Sequence, residues 1–320
     1  MRVTFFGSAQ FGIPSLQALK ASANDLVGVF TQPARPAGRK RKPTPTAVAT
    51  WAKDNGIPCT EAGDINSPEM DEKITACGGE LLIVIAFGQK ISQEVIKLHP
   101  KAAINVHASL LPRYRGAAPI NWAIINGETE TGISIITLAE RMDAGEILAR
   151  TEIPITSDDT AETLYDKLAQ IAPPLLLETI DRISAGTAVY TSQDESQVTF
   201  AHKLKKSDGF LDWAASAESV RNMIRGLWPW PGAQAVFISA KTGKSCRATI
   251  AKACVVAAAA VSARDKVGIL DENLNVICGQ NVLRILQLKP AGASLMDFKA
   301  FVNGRDVRPG DTFVRVDESS

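Results

Sequence analysis

No apolar run in the 320-residue chain exceeds nine residues, at 253–261. About 18 are needed to cross a bilayer, so no membrane span is expected. Met1-Arg2 and the following Val-Thr-Phe-Phe mimic the start of a secretory signal. The stretch ends at Gly7, short of the apolar core such a signal needs. Cysteine is scarce: Cys59, Cys77, Cys246, Cys254 and Cys278 are odd in number, scattered, and form no C-x-x-C pair. That excludes a disulfide framework and reads as reduced thiols in a cytoplasmic protein. The three histidines, His99, His107 and His202, lie far apart, and no Cys/His cluster has zinc spacing, so no metal is expected. There is no excess of either charge overall, with 35 Lys and Arg against 34 Asp and Glu. Apolar residues at 45% and charged residues at 22% exclude a disordered, collagen-like or coiled-coil chain.

The charge balance hides an asymmetry. Residues 1–200 carry 18 basic and 23 acidic side chains, and the remainder carry 17 and 11. Two halves of opposite sign imply two modules and an anionic partner for the second. The pattern along the chain divides similarly. Short β runs at 3–6, 26–31, 81–86, 103–106, 133–137 and 147–155 alternate with helical stretches at 14–22, 47–55, 67–76, 119–126 and 160–184. The apolar run at 81–86 fits a central strand covered on both faces. Such alternation predicts an α/β fold with a doubly wound, mainly parallel sheet over 1–187. A polar, irregular stretch at 188–206 reads as a linker. Beyond it come one helix (216–226) and short β runs at 233–239, 248–256, 266–271, 275–277 and 282–288, which predict a small β-barrel within 207–315.

Several motifs bear on chemistry. Gly7 to Gly12 sits where the first strand turns into the first helix, the phosphate-binding place of nucleotide folds. Ile13-Pro14 stands where a P-loop needs Lys-Ser/Thr, and no two glycines are two apart, so both nucleotide fingerprints fail. A tight turn before a Pro-started helix is the better reading. The run at 35–43 holds Arg35, Arg39, Lys40, Arg41 and Lys42 and no acidic residue. A solvated loop and a phosphate-binding arm fit it equally. Asn105 and His107 alternate onto one face at a strand end, where ligands of open α/β sheets gather. An amide donor beside an imidazole is suited to polarising a carbonyl oxygen. Met142-Asp143-Ala144-Gly145 is a common turn sequence, and a role in chemistry requires Asp143 to reach His107. Ser109 near His107 raises a serine hydrolase as a competitor, but no G-x-S-x-G elbow exists.

The run INVHASLLPRYRGAAPI, followed by MDAGEIL, resembles the folate-dependent formyltransferases. FTQPARPAGRKRKPTPTAV, LDW and GLWPWPGA are similar to the branch that acts on aminoacyl-tRNA. The resemblance covers nearly the whole chain. It implies a Rossmann-like domain followed by an OB-like barrel. It implies that 10-formyltetrahydrofolate donates a formyl group to the α-amino group of methionine on initiator tRNA, without a metal. It aligns Asn105, His107 and Asp143 with the catalytic residues, Ser109, Leu110, Leu111 and Pro112 with the folate-binding run, and Arg35, Arg39, Lys40, Arg41 and Lys42 with the tRNA-binding loop. Asn105 and His107 would then stabilise the developing oxyanion, while Asp143 holds His107 and accepts the amine's proton. Ala108 replaces a glycine of some members, and Trp228 replaces a small residue. A monomer is expected. A glycinamide ribonucleotide or sugar-nucleotide formyltransferase, which shares the Asn/His/Asp set, and a non-catalytic RNA-binding protein remain as alternatives.

Overall fold

The computed structural model describes residues 1–37, 42–257 and 266–317. In chain order the strands of the first part are β1 (Arg2–Gly7), β2 (Asp25–Thr31), β3 (Arg35–Ala37), β4 (Lys42–Thr44), β5 (Cys59–Glu61), β6 (Leu81–Ile85), β7 (Ala102–His107), β8 (Arg115–Gly116), β9 (Glu130–Thr137), β10 (Ile147–Pro154) and β11 (Phe200–Ala201). The helices are α1 (Ile13–Ala21), α2 (Ala47–Asp54), α3 (Pro68–Cys77), α4 (Gln93–Lys97), α5 (Pro119–Ile125) and α6 (Ala161–Ser184). Beyond them lie α7 (Ala217–Gly226), β12 (Ala233–Ile238), β13 (Ser245–Val256), β14 (Val276–Ile277), β15 (Val282–Pro290), β16 (Met296–Asp297), α8 (Phe298–Arg305) and β17 (Thr312–Val314).

The chain forms two compact units, and their boundary is not a single cut. The first holds Met1–Gly116, Glu130–Pro154 and Tyr165–Ala201; the second holds Ala117–Thr129, Ile155–Leu164 and His202–Ser320. In the first unit a seven-stranded sheet runs β10-β9-β7-β6-β1-β2-β5. The five strands from β5 to β7 are parallel, linked by α1 to α4, while β9 and β10 turn antiparallel at one edge. This is the doubly wound, Rossmann-like arrangement that the alternation predicts. Every residue of β6 is buried, as its unbroken apolar run requires. Phe6, Phe30, Leu82, Phe87 and Ile74 pack in one cluster, and burying each such side chain contributes roughly 1.5–3 kcal/mol.

In the second unit β14-β15-β13-β12-β17 form an antiparallel sheet, with β16 paired to β15. The run expected as a strand at 266–271 makes only two single bridges, Ile269 with Thr312 and Leu270 with Val276. Those bridges join the two outer strands, so the sheet nearly closes into a barrel. Inside lie Trp213, Phe237, Ile250, Leu283, Phe301 and Phe313. Helix α5 belongs to this unit. Asn121 Nδ2 donates to Gly226 O at 2.7 Å, and a side chain at Gly226 would meet Ile125 at 2.7 Å.

Beside the Phe6 cluster, His99 is buried with its ring edge-on to Phe6. Its Nδ1 lies 3.1 Å from Val95 O, so Nδ1 carries the proton, and Nε2 has no partner among the described residues. Burial pushes the imidazole below its ordinary value near 6.5, against the Val95 hydrogen bond. A depressed histidine contributes stability fully present above the unfolded value and lost as pH falls through the folded one. The denaturant midpoint should therefore drop on going from neutral pH to about pH 5, and His99→Phe should flatten that drop. Equal losses in both proteins would remove His99 as the cause.

Candidate active site

The carboxyl end of β7 faces the turn between β9 and β10, and there the sequence's three candidates meet. Asn105 Nδ2 lies 3.5 Å from Asp143 Oδ1, and His107 Nδ1 lies 3.6 Å from the same oxygen. The His107 and Asp143 side chains are 6% and 12% exposed, so their charges act in a poorly hydrated place. The other carboxylate oxygen, Oδ2, accepts from the Gly116 N–H at 2.8 Å. His107 Nε2 lies 3.0 Å from Tyr114 O. A carbonyl only accepts, so Nε2 is the donor there, and a neutral ring turns the lone pair of Nδ1 toward Asp143. A doubly protonated ring would instead donate to both.

Local backbone aims these groups. Asp143 has φ +53°, a left-handed conformation that costs a non-glycine residue on the order of 1 kcal/mol. Gly145 must stay bare, because a Cβ there would sit 1.7 Å from Thr137 O. The turn signal of Asp-x-Gly is thus met by a turn that also presents a carboxylate. Tyr114, whose carbonyl takes His107, is left-handed too, with φ +63°.

The run after His107 is a wall more than a set of donors. Ser109 is fully buried, with Oγ donating to Arg113 O at 2.7 Å and its carbonyl accepting from Ser134 Oγ at 2.7 Å. Leu111 packs with Ile136 and Ile147. Its N–H donates to Ser134 Oγ at 3.0 Å, and its carbonyl accepts from Arg150 Nη1 at 3.0 Å. Leu110 and Pro112 are half-buried and keep accessible surface. Of the basic run, Arg35 and Lys42 are exposed on β3 and β4, and Arg39, Lys40 and Arg41 lie outside the described residues. Arg35 also borders a cavity of about 320 Å³ over the carboxyl ends of β1, β2 and β6, with Ser8, Gln32 and Thr46. In the second unit Lys203, Lys205, Lys206, Lys244 and Lys252 are exposed. Arg221 and Arg225 are engaged inside that unit, on carbonyls of Ser157, Thr156 and Asp159.

Sequence reading missed the segment at 191–201. Thr191 bridges Ile147. Gln193 Nε2 donates to Asp143 O at 2.8 Å and Gly145 O at 2.7 Å, while Oε1 accepts from Arg115 Nε and Nη2. Arg115, buried, also pairs with Glu195, and that hydrogen bond holds the Glu195 carboxyl below the ordinary glutamate value. Thr199 Oγ1 accepts from Tyr114 N–H. No spacing signal links residues 44 to 85 positions apart. Among the described residues no group of three or more His, Cys, Asp and Glu is placed to hold a metal ion, and no helix is long and apolar enough to cross a membrane.

Residues 1–180 match the family model described as formyl transferase, and residues 203–306 match the formyl transferase C-terminal domain. The methionyl-tRNA formyltransferase of Trichlorobacter lovleyi is 39% identical over 309 residues, 97% of this chain and 96% of that protein. That of Symbiobacterium thermophilum is 38% identical over 316 residues, 98% of this chain and 95% of that protein. Among solved structures, WlaRD, a sugar 3N-formyl transferase crystallised in the presence of dTDP and 5-N-formyl-THF, superposes with a TM-score of 0.64. It is 15% identical, covering 92% of this chain and 99% of that one, which speaks to the fold alone. Matched in both domains and over nearly its whole length, the chain belongs to the methionyl-tRNA formyltransferase family of formyl transferases.

Proposed function

We propose that this protein transfers the formyl group of 10-formyltetrahydrofolate to the α-amino group of methionine on initiator tRNA, in the cytoplasm, where translation starts. The observation that supports the reading is that Asn105 and His107 each bring a side-chain nitrogen within 3.6 Å of the same oxygen of Asp143. The family supplies the reaction class; the cluster supplies residues of the right chemistry for it.

The donor, when bound, supplies a formyl carbon activated on a ring-linked nitrogen. Leu110 and Pro112 are the members of the SLLP run with surface to offer it, as an apolar wall, while Ser109 and Leu111 hold the run's shape. The methionine amine adds to that carbon, and negative charge gathers on the formyl oxygen. Asn105 Nδ2 serves as a donor to that oxygen, and His107 joins it when Nε2 exchanges the Tyr114 carbonyl for the oxyanion. Asp143 orients His107 and takes the proton the amine loses, directly or through water. One N–C bond forms and one breaks, and the proton ends on the nitrogen that is released.

We assign the first module, residues 1–187, to formyl transfer and the barrel, residues 207–315, to tRNA. Exposed Lys244 and Lys252 in the barrel, with Lys203, Lys205 and Lys206 just before it, support that division. Phosphate pairing of this kind adds affinity without reading sequence.

His107→Ala and Asp143→Asn should each lower the formylation rate by about 100-fold or more, the typical loss for an oxyanion donor or its partner. Near-normal turnover of either folded variant would sink these roles. The reading of the substrate has its own assay: labelled formyl donor should mark charged initiator tRNA and leave amino sugars and small amines unlabelled.

Neutralising Arg35, Arg39, Lys40, Arg41 and Lys42 should weaken tRNA use and spare binding of a folate analogue. Each phosphate deprived of its basic partner should reduce the slope of log affinity against log salt by about 0.7–0.9. An unchanged slope would make the run a solvated surface.

A further inference from the structure

We propose that the polar stretch after α6 is a strap that positions the reaction centre, and that Gln193 is its positioning residue. The inference rests on the assignment of Asp143 and His107 as the reacting pair's holders.

Three observations converge on it. Asp143 adopts a left-handed backbone, which an aspartate keeps only where its surroundings over-determine it. The Gln193 carboxamide is the group that does so. Its two N–H hydrogens go to the carbonyls of Asp143 and Gly145, one at the left-handed residue and one two positions on. Its oxygen takes two N–H groups of the buried Arg115. All four hydrogen-bonding positions of one carboxamide are used, two as donor and two as acceptor. Glutamate cannot reproduce that set, because it donates nothing and turns charge toward two carbonyl oxygens. Asparagine is one methylene too short to span the same partners.

The strap reaches the imidazole as well. Thr199 fixes Tyr114 through its N–H, and the Tyr114 carbonyl is the partner of His107 Nε2. Phe200 and Ala201 pair in parallel with Arg115 and Gly116, and Gly116 N–H bonds the Asp143 carboxylate. Carboxylate and imidazole are thus each held by a residue of β8 or its neighbour, and β8 in turn is held by the strap. None of the strap's side chains touches the reacting groups of Asn105, His107 or Asp143 through those bonds; the action passes through backbone.

A misplacement of about 1 Å at a reacting group costs up to about 100-fold in rate. In the full-length protein, Gln193→Ala should therefore lower kcat by about 10- to 100-fold. The KM values for folate donor and charged tRNA should stay within about threefold, because the loss is one of orientation rather than of binding. The pH profile of kcat should also move, since the hydrogen bonds around the reacting groups are rearranged. Gln193→Glu should match the alanine variant despite its equal size, and it keeps the test open should the alanine variant fail to fold. Asp143→Asn is run beside them. If Asp143→Asn is inactive while folded Gln193 variants keep wild-type kcat and pH profile, the strap proposal is wrong. If Asp143→Asn itself turns over normally, the underlying assignment has failed instead. A fall in kcat shared by both Gln193 variants, with KM held and the profile moved, establishes the strap.

Discussion

The site turns on one carboxylate. Asp143 receives the Gly116 N–H on one oxygen and faces both Asn105 and His107 with the other. That geometry needs a left-handed residue at a turn between two antiparallel strands, a glycine two positions on, and carbonyls pinned from outside. Each requirement is individually small, of order 1 kcal/mol or a single hydrogen bond. Together they fix the direction of a charge to within the tolerance that chemistry imposes. The antiparallel pairing of β7 with β9 supplies the other half, by laying Asn105 and His107 against Ile136 and Ser134 of the strand that runs into the β9–β10 turn.

The hydrogen bond from His107 to a backbone carbonyl has a chemical consequence. It assigns the proton to Nε2 in the neutral ring and leaves Nδ1 as an acceptor facing a carboxylate. In the proposed reaction these two acceptors face the place where the amine's proton is released. The Tyr114 carbonyl competes in that reaction with the oxyanion for Nε2, so the placement of Tyr114 bears on that step.

How far the sequence discloses this depends on the range of the signal. Strand β6 is legible because a short apolar run with β-branched Ile83, Val84 and Ile85 fits a strand buried on both faces better than a helix. Asn105 and His107 are legible because period-two alternation at a strand end is a local property. Asp143 is half legible: Asp-x-Gly announces a turn, yet its closeness to His107 exists only once β7 and β9 pair. The short edge strand β5 and helix α4 carry too few residues for a periodic pattern. The run at 266–271 looks like a strand and makes only single bridges, because its neighbours at the barrel's closing edge are the ends of short strands. Gln193 and Arg115 are invisible in sequence, since nothing in a polar, irregular stretch marks which amide will meet a turn 50 residues upstream.

Two of the three points at which the chain leaves the first unit explain why a segment that reads as a linker is so well bonded. The first unit gives way to the second after Gly116 and again after Ala201. Those two residues are register partners in the parallel pair of β8 and β11. They pack so closely that a Cβ on Gly116 would come within 2.5 Å of Ala201 O. Two strands of two residues each have little stability of their own. They persist because Arg115 is buried and bonded through Gln193 and Glu195, and because Thr199 holds both Tyr114 and Arg115 by hydrogen bonds to their N–H groups. The backbone that leaves the first unit is therefore the same backbone that donates to Asp143 and accepts from His107. A flexible tether at that point would loosen both. The polar composition of the stretch reflects the hydrogen bonds it must make with turn carbonyls and a guanidinium, groups that an apolar segment would leave buried and unpaired.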